Sequence, residues 1–411
     1  MSGEILFLAH RLPFPPDRGD KIRSHNLLKA LAALAPVHVG CLAEGADDAG
    51  NAAELARVAK SFCMPERKKS LFLAGLEALA TVQPVSVTAF RHAQLRDWVT
   101  RLLAERPIDT IFVFSGQMGQ YVPPDWAGRL VVDLCDVDSA KFEAFAAQHR
   151  WPRGWIDRRE ADLLRVMEER LAKRADHTLL ISRAEADLFR SRLDDPVSAR
   201  VTVLGNGIDA GAFDPGTWKP RAELLKSPGP HIVFTGQMDY PPNVEAVHRF
   251  ATAILPAIRE RHPQAHFHVV GRAPTTDVRE LTGQAVTVWG EVPAVQPFLA
   301  AADLVVAPLA VARGVQNKVL EAMAMACPVL LTSHAATGID ASDGLHLAVA
   351  DEDDSLMRRA LALLADRSRA REMGTEARRF VNERMSWPAM LAELPAIVGR
   401  APPAGVHRDA A

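Results

Sequence analysis

The residues best suited to chemistry fall in one short stretch, Arg313-Gly314-Val315-Gln316-Asn317-Lys318-Val319-Leu320-Glu321. Gly314 lets backbone come close to a ligand, and a helix is expected to start at Val315. The amides of residues 315–317 would then face an anion such as phosphate, where the helix dipole also favours negative charge. Lys318 lies one turn in and reaches the same anion as a point charge. Glu321 follows three residues later on the same face, and a carboxylate there accepts two ribose hydroxyl protons. A helix ion pair is the bland alternative for these two residues. Against it, only ten of the 48 Lys and Arg residues are lysines, and Lys318 is the only one after Lys226. Gly271-Arg272 and Gly236-Gln237 close two other apolar runs. Strand ends with small residues that converge on one helix N-terminus describe a nucleotide-diphosphate pocket, to which Val292 and Asn317 are assigned as lining.

A second constellation follows the first strand. The loop His10–Asp20 reads HRLPFPPDRGD and leads into a helix expected near Lys21. A long loop after a strand's carboxyl end sits where open α/β sheets bind ligands. Gly19 permits close approach, Asp20 is suited to capping the helix, and Arg18, Lys21 and Arg23 add positive charge. Asp136-Val137-Asp138 has the D-x-D form that elsewhere binds a metal–diphosphate, but a helix is expected to follow, so Asp138 or Ser139 as its N-cap is the plainer reading. His262, His266 and His268 cluster without a Cys or carboxylate at ligand spacing, and ordinary strand histidines are the favoured reading. No GxGxxG follows the first strand, and no Walker A, GxSxG or HExxH occurs.

Elements must hold these residues in place. The 411 residues are 48% apolar and 24% charged, enough for two cores. Short apolar runs alternate with amphipathic ones, as in Leu95, Trp98, Val99, Leu102 and Leu103, which share one helix face. The strand candidates are Ile5–Ala9, Val37–Leu42, Ser61–Met64, Ile111–Phe114, Leu130–Leu134 and Thr178–Ser182, then His231–Thr235, His266–Val270, Val286–Trp289, Leu304–Pro308, Pro328–Thr332 and Leu347–Ala350. Such continuous apolar strands suit parallel sheets covered on both faces. A Gly- and Pro-rich stretch at Gly205–Pro230 reads as a linker. The expected division is therefore 1–204 and 205–386, each a doubly wound α/β domain. Ser386-Trp387-Pro388 breaks the last helical run, so a helix at about 387–400 is expected to return to the first domain, and residues 401–411 to be a disordered tail. The net charge of −2 argues against a nucleic-acid partner. Four scattered cysteines argue against a disulfide framework and fit a reducing cytoplasm. With a strand starting by Glu4, no leader segment is expected ahead of it.

Several phrases carry a resemblance: FLAHRLPFPPDRGDKIRSHNLLKAL, VVDLCDVDSAKF, NGID, VFTGQMDYPPNVEAV, FHVVGRAP and RGVQNKVLEAMA. Over almost its full length the chain resembles glycosyltransferase family 4, and within it the sugar transferases associated with PEP-CTERM/exosortase systems and exopolysaccharide synthesis. The resemblance implies a GT-B fold, two Rossmann-like domains facing a central cleft, and retaining, metal-independent transfer of a hexosyl-type sugar. A nucleotide-diphosphate sugar would bind the second domain, and a glycan or lipid-linked acceptor the first. The family's E-x7-E segment places its second Glu on Glu321, whereas its first falls on Arg313. The family's clamping Arg and Lys are replaced by Gln237-Met238-Asp239-Tyr240-Pro241-Pro242, which leaves Arg313, Lys318 or Arg272 as the substitute cation for the diphosphate. The family's first-domain histidine has no counterpart in Phe114-Ser115-Gly116. Asp136 is the candidate for steering the donor sugar or the acceptor hydroxyl. No metal or other cofactor is implied.

Two rivals stay open: a non-catalytic nucleotide-sugar-binding or scaffold protein, and a nucleotide-sugar epimerase on the same fold. The expected location is cytoplasmic. Arg67-Lys68-Lys69 ahead of Leu71, Phe72, Leu73, Leu76 and Leu79 raises peripheral contact with the inner membrane, against the alternative of an ordinary helix with a charged start.

Overall fold

The computed structural model describes residues 3–45, 48, 50–226, 228–312 and 314–401. The chain forms two compact units. One runs to Asn206 and includes the segment from Leu391 onward; the other is Gly207–Met390. The observed crossings fall slightly later than 204 and 386, for local reasons. Arg23 Nη1 donates to the Gly205 carbonyl (3.2 Å) and to Asn206 Oδ1 (2.8 Å), tying both residues to the first unit. Ile208 N donates to the Met385 carbonyl (2.8 Å) and Trp387 N to the Ile208 carbonyl (3.2 Å), which keeps Trp387–Met390 with the second. Of the expected tail only Ala401 is among the described residues.

The first unit is built on seven parallel strands: β1 (Glu4–Ala9), β2 (Val37–Gly40), β3 (Ser61–Cys63), β4 (Ile108–Phe114), β5 (Arg129–Cys135), β6 (His177–Leu180) and β7 (Val201–Val203). Their order is β3-β2-β1-β4-β5-β6-β7. The order reverses between β1 and β4, where open α/β sheets place ligands. β7, only three residues and incompletely buried, lacks the apolar run that would have announced it. Helices α1 (Gly19–Ala32), α2 (Leu71–Thr81), α3 (Asp138–Gln148) and α4 (Arg153–Arg174) are the ones that matter below. At the C-terminus, Leu394–Ile397 is helical; Arg129 donates to the Ile397 carbonyl (3.2 Å) and Arg400 pairs with Asp109 (2.5 Å).

The second unit has six parallel strands: β8 (His231–Thr235), β9 (His266–Val270), β10 (Val286–Gly290), β11 (Leu304–Ala307), β12 (Val329–Leu331) and β13 (Ala348–Val349), in the order β10-β9-β8-β11-β12-β13. The reversal here lies between β8 and β11. Helix α5 (Pro241–Arg249) follows β8, its two prolines placed in the first turn where a missing N–H costs nothing. Helix α6 (Asn317–Ala324) follows β11 and buries Val319, Leu320, Ala322 and Met323. It starts two residues later than expected because Gln316 keeps an extended backbone and serves as N-cap. Phe234, Phe250, Phe267 and Phe298 fill the core of this unit.

Candidate functional site

The carboxyl ends of β8, β9 and β10 are stitched together by backbone bonds. Gly236 N donates to the Val270 carbonyl (3.0 Å), Met238 N to that of Arg272 (2.9 Å), and Gly271 N to that of Gly290 (2.9 Å). The approach is so close that a Cβ on Gly271 would lie 1.6 Å from the Gly236 carbonyl oxygen. A Cβ on Gly236 would meet Asn243 Nδ2 at 2.9 Å and Lys318 Nζ at 3.1 Å. Only glycine fits at 271, a side chain at 236 would have to displace Asn243 and Lys318, and the missing side chains leave room for a cavity of about 490 Å³. Gly236, Gly271, Arg272, Val292, Asn317, Lys318 and Glu321 all line it. The volume lies in the range of small-molecule sites, and the location is the topological switch point of the second sheet.

Lys318 brings a cation into this lining. Its ammonium donates to Asn243 Oδ1 and lies 4.7 Å from the centroid of the Phe234 ring. Burial pushes its pKa down to about 8, with the Glu321 carboxylate opposing the shift. Glu321 is itself pushed upward by burial, against the pull of Lys318. The two are close enough to feel each other, but they do not form an ion pair among the described residues. Among the described residues, Lys318 thus has Asn243 as its hydrogen-bond partner and no carboxylate at ion-pair distance, and both groups line the cavity. Asn317 and Lys318 open α6, so their amides have no partner within the helix. Arg272 reaches Gln237 Oε1 (2.8 Å) at the rim.

Gly314 takes a left-handed backbone (φ 66°) just outside the lining and turns the chain into α6. Arg313 lies outside the described residues. Asn243 was not foreseen. It bridges Lys318 and the Gln237 carbonyl (2.8 Å), and its only sequence signal is its place at the start of a helix opened by Pro241-Pro242. Tyr240 and Glu291 also line the cavity unannounced, while Val315 and Gln316 line it beside Asn317 as expected of residues 315–317.

The first-unit residues are distributed differently. Arg23 is not a loop cation: it is buried and bonded to the buried Asp133 carboxylate (2.8 and 3.2 Å). Asp20 does not cap α1, whose N-cap is Arg18 without a side-chain bond. Instead Asp20 bonds His10 (3.2 Å) and Arg11 (2.7 Å), which hold its carboxyl well below the usual range despite partial burial. Arg18 pairs with Glu44 and, at 3.3 Å, with Asp20, so the loop is charge-balanced rather than basic. Gly19 is exposed in the first turn. Lys21 is buried against Asp48 (3.4 Å). Asp136 stands exposed at the end of β5, and its pKa is raised by desolvation and by the neighbouring Glu185 and Asp138 carboxylates. Neither Asp138 nor Ser139 caps α3; Val137 is its N-cap, and the Ser139 amide donates to the buried Glu168 (3.0 Å). Two non-glycine residues with positive φ, Ser115 (74°) and Cys135 (65°), mark the ends of β4 and β5. Such strain concentrates at functional sites.

The strand histidines are tied into the sheet. His268 lies 3.1 Å from His231 and accepts from Trp289 Nε1 (3.2 Å), while His266 bonds Thr287 (2.8 Å). Burial and the two neighbouring histidines push His268 down to about 3. Among the described residues, no group of three or more His, Cys, Asp or Glu side chains could hold a metal ion.

Comparison with known proteins finds a family match in each unit. Residues 19–207 match the family model of the glycosyl transferase 4-like domain, and residues 229–366 that of glycosyl transferases group 1. No curated protein sequence matches. Among solved structures, Anabaena HepE in complex with UDP and glucose is similar, with 16% identity, a TM-score of 0.59, and 97% of this chain and 100% of that one covered. WaaG, a glycosyltransferase involved in lipopolysaccharide biosynthesis, shares 17% identity at a TM-score of 0.57, covering 96% and 100%. Sucrose-phosphate synthase from Thermosynechococcus elongatus shares 15% at 0.57, covering 96% and 98%. With one glycosyl transferase domain matched in each unit and these relatives in fold, the chain is a glycosyltransferase of the GT-B type.

Proposed function

We propose that the chain transfers a hexosyl-type sugar from a nucleotide-diphosphate donor to a glycan or lipid-linked acceptor, with retention and without a metal. The phrases shared with exosortase-associated transferases support a role in exopolysaccharide synthesis on the cytoplasmic side. One observation carries the reading: a partly desolvated ammonium and a carboxylate with no ion pair among the described residues share a cavity with the first turn of α6, at the switch point of the second sheet. HepE was crystallised with UDP and glucose in a similar fold, which supports a nucleotide-diphosphate sugar as the donor class.

The chemistry follows from charge. As the bond from the sugar's anomeric carbon to the β-phosphate oxygen breaks, negative charge grows on the diphosphate. The acceptor oxygen forms its bond on the face being vacated, and its proton passes to the departing phosphate oxygen. The protein's contribution is fixed positive charge where the phosphate develops it: Lys318, the α6 amides and the Arg272 guanidinium. Glu321 accepts ribose hydroxyl protons, an interaction that does not change during transfer. Asp136, at the end of β5, is assigned to steering the acceptor hydroxyl or the donor sugar.

Steady-state kinetics on two variants tests the assignment, after a thermal-shift panel of nucleotide-diphosphate sugars has selected the donor. Glu321→Ala should chiefly raise KM, because it removes binding felt equally in ground and transition states. Lys318→Ala should lower kcat by roughly 100- to 1,000-fold. A near-wild-type kcat in Lys318→Ala defeats the leaving-group role. Donor binding without turnover would instead describe a nucleotide-sugar-binding protein, and a free 2-epimerised sugar an epimerase.

A further inference from the structure

Helix α2 is built inside out. It buries Ala74 and Ala78, while Leu71, Phe72, Leu73, Leu76 and Leu79 are 51–74% exposed. A surface helix normally does the reverse, hiding its large apolar side chains. The patch does not end with the helix. Arg159 of α4 donates to the Ala78 carbonyl (2.8 Å) and the Gln83 carbonyl (3.2 Å), and Glu160 accepts from Val85 N (2.7 Å) and Ser86 N (2.8 Å). These bonds dock the start of α4 against the end of α2. One turn before Arg159 stand Trp155 and Ile156, 58% and 48% exposed, and Trp151 at the tip between α3 and α4 is 85% exposed.

Charge decides what fits this face. The basic run ahead of α2 is already neutralised: Arg67 pairs with Glu44 (3.5 Å), Lys68 with Glu66 (3.0 Å) and Lys69 with Glu77 (2.7 Å). The tip, Arg150-Trp151-Pro152-Arg153-Gly154-Trp155, is different. Arg150 and Arg153 are exposed and have no ion pair or side-chain hydrogen bond among the described residues. The acidic group next to them, Asp157, is buried and taken up by His149 (2.6 Å). Tryptophan paired with unneutralised arginine suits the boundary between acyl chains and anionic headgroups, where the ring is half wet and the guanidinium meets phosphate. No described helix is long and apolar enough to cross a bilayer, so the contact is in-plane.

We infer that this face of the first unit, α2 with the Arg150–Trp155 tip, docks on an anionic lipid bilayer. The eleven residues of α2 lie along the surface with their leucines and Phe72 in the acyl boundary, and Arg150 and Arg153 contact lipid phosphates. Docking of this kind would hold the chain beside acceptors that carry a lipid.

The test uses the full chain without nucleotide sugar, so its result is independent of the transferase reading. Co-sedimentation is measured with vesicles of phosphatidylcholine alone and of phosphatidylcholine with about 30% phosphatidylglycerol. Wild type should partition to the anionic vesicles and weaken as salt rises. Phe72→Ser/Leu76→Ser should lose at least about tenfold on both vesicle types. Arg150→Gln/Arg153→Gln should lose roughly 25-fold on anionic vesicles alone, at about fivefold per arginine. These side chains are exposed, so melting temperatures should match wild type. Absence of vesicle binding by wild type overturns the inference. So does a wild-type dimer that Phe72→Ser/Leu76→Ser converts to monomer without vesicle binding, since the face would then join two copies of the chain. An arginine pair that weakens neutral and anionic vesicles equally refutes the phosphate contact.

Discussion

The depressed pKa of Lys318 makes donor affinity depend on pH in a calculable way. A nucleotide sugar carries its diphosphate as a diester, so the charge that meets Lys318 is constant across neutral and alkaline pH. At that contact only the protein titrates. In the free protein Lys318 has a pKa of about 8, and a bound diphosphate favours the charged form, raising it. Binding therefore takes up a proton once pH exceeds about 8. Affinity should be flat below that point and fall by up to tenfold per pH unit above it, so the dissociation constant should rise about tenfold between pH 7 and 9, or about 1.4 kcal/mol. Titration calorimetry at fixed ionic strength, in buffers of different ionisation heat, reads both the affinity and the proton uptake. Lys318→Arg keeps the charge and cannot titrate in this range, so its affinity should be pH-independent. Flat wild-type affinity from pH 7 to 9, or the same slope in Lys318→Arg, would refute the contact between Lys318 and the diphosphate. The shift also acts on folding. The folded pKa of about 8 lies below the ordinary 10.5, so the charged form opposes folding. Unliganded stability should gain from this group as pH rises from about 8 towards 10.5.

Other outcomes follow from single atoms. Gly271→Ala puts a methyl group 1.6 Å from the Gly236 carbonyl oxygen; it should cost about 1–3 kcal/mol or more and weaken donor binding, and an unchanged melting temperature with intact binding would count against the close approach. Arg23→Ala strands the Asp133 carboxylate in the first-unit core, which should cost about 3–5 kcal/mol in denaturant melts. Donor affinity of its folded fraction should stay as in wild type; a specific loss of affinity would reinstate Arg23 as a binding residue. Turnover should survive chelation, because cations and amides supply the counter-charge to the diphosphate. Loss of activity in EDTA with recovery in Mg²⁺ or Mn²⁺ would make Asp136 and Asp138 metal ligands.

What the sequence disclosed depended on how local each signal was. Twelve of the thirteen strands are apolar runs closed by Gly, Pro or a polar residue, and each is readable within its own few residues. β7 is not, because three residues at a sheet edge, none of them fully buried, need no pattern of their own. That Gly236, Gly271 and Lys318 would line one cavity was legible for a related reason. Gly236 and Gly271 close apolar runs, Lys318 is one of only ten lysines in the chain, and the backbone contact of 1.6 Å that Gly271 would suffer with a Cβ explains why no other residue serves there. Partnerships across the chain were not legible. Arg23 and Asp133 lie 110 positions apart and Asn243 and Lys318 lie 75 apart. A basic residue after a phosphate-like loop reads the same whether its charge faces a ligand or a buried carboxylate. That is why Arg18, Asp20 and Arg23 seemed to offer charge that the fold spends internally. The same ambiguity ran the other way at Arg67-Lys68-Lys69, where the conspicuous basic run is neutralised by glutamates from other segments. The isolated Arg150 and Arg153, unremarkable in a chain with so many arginines, are the ones left facing outward beside tryptophan. Charge in a sequence is an inventory of groups; only the fold decides which of them remain available to a ligand or a surface.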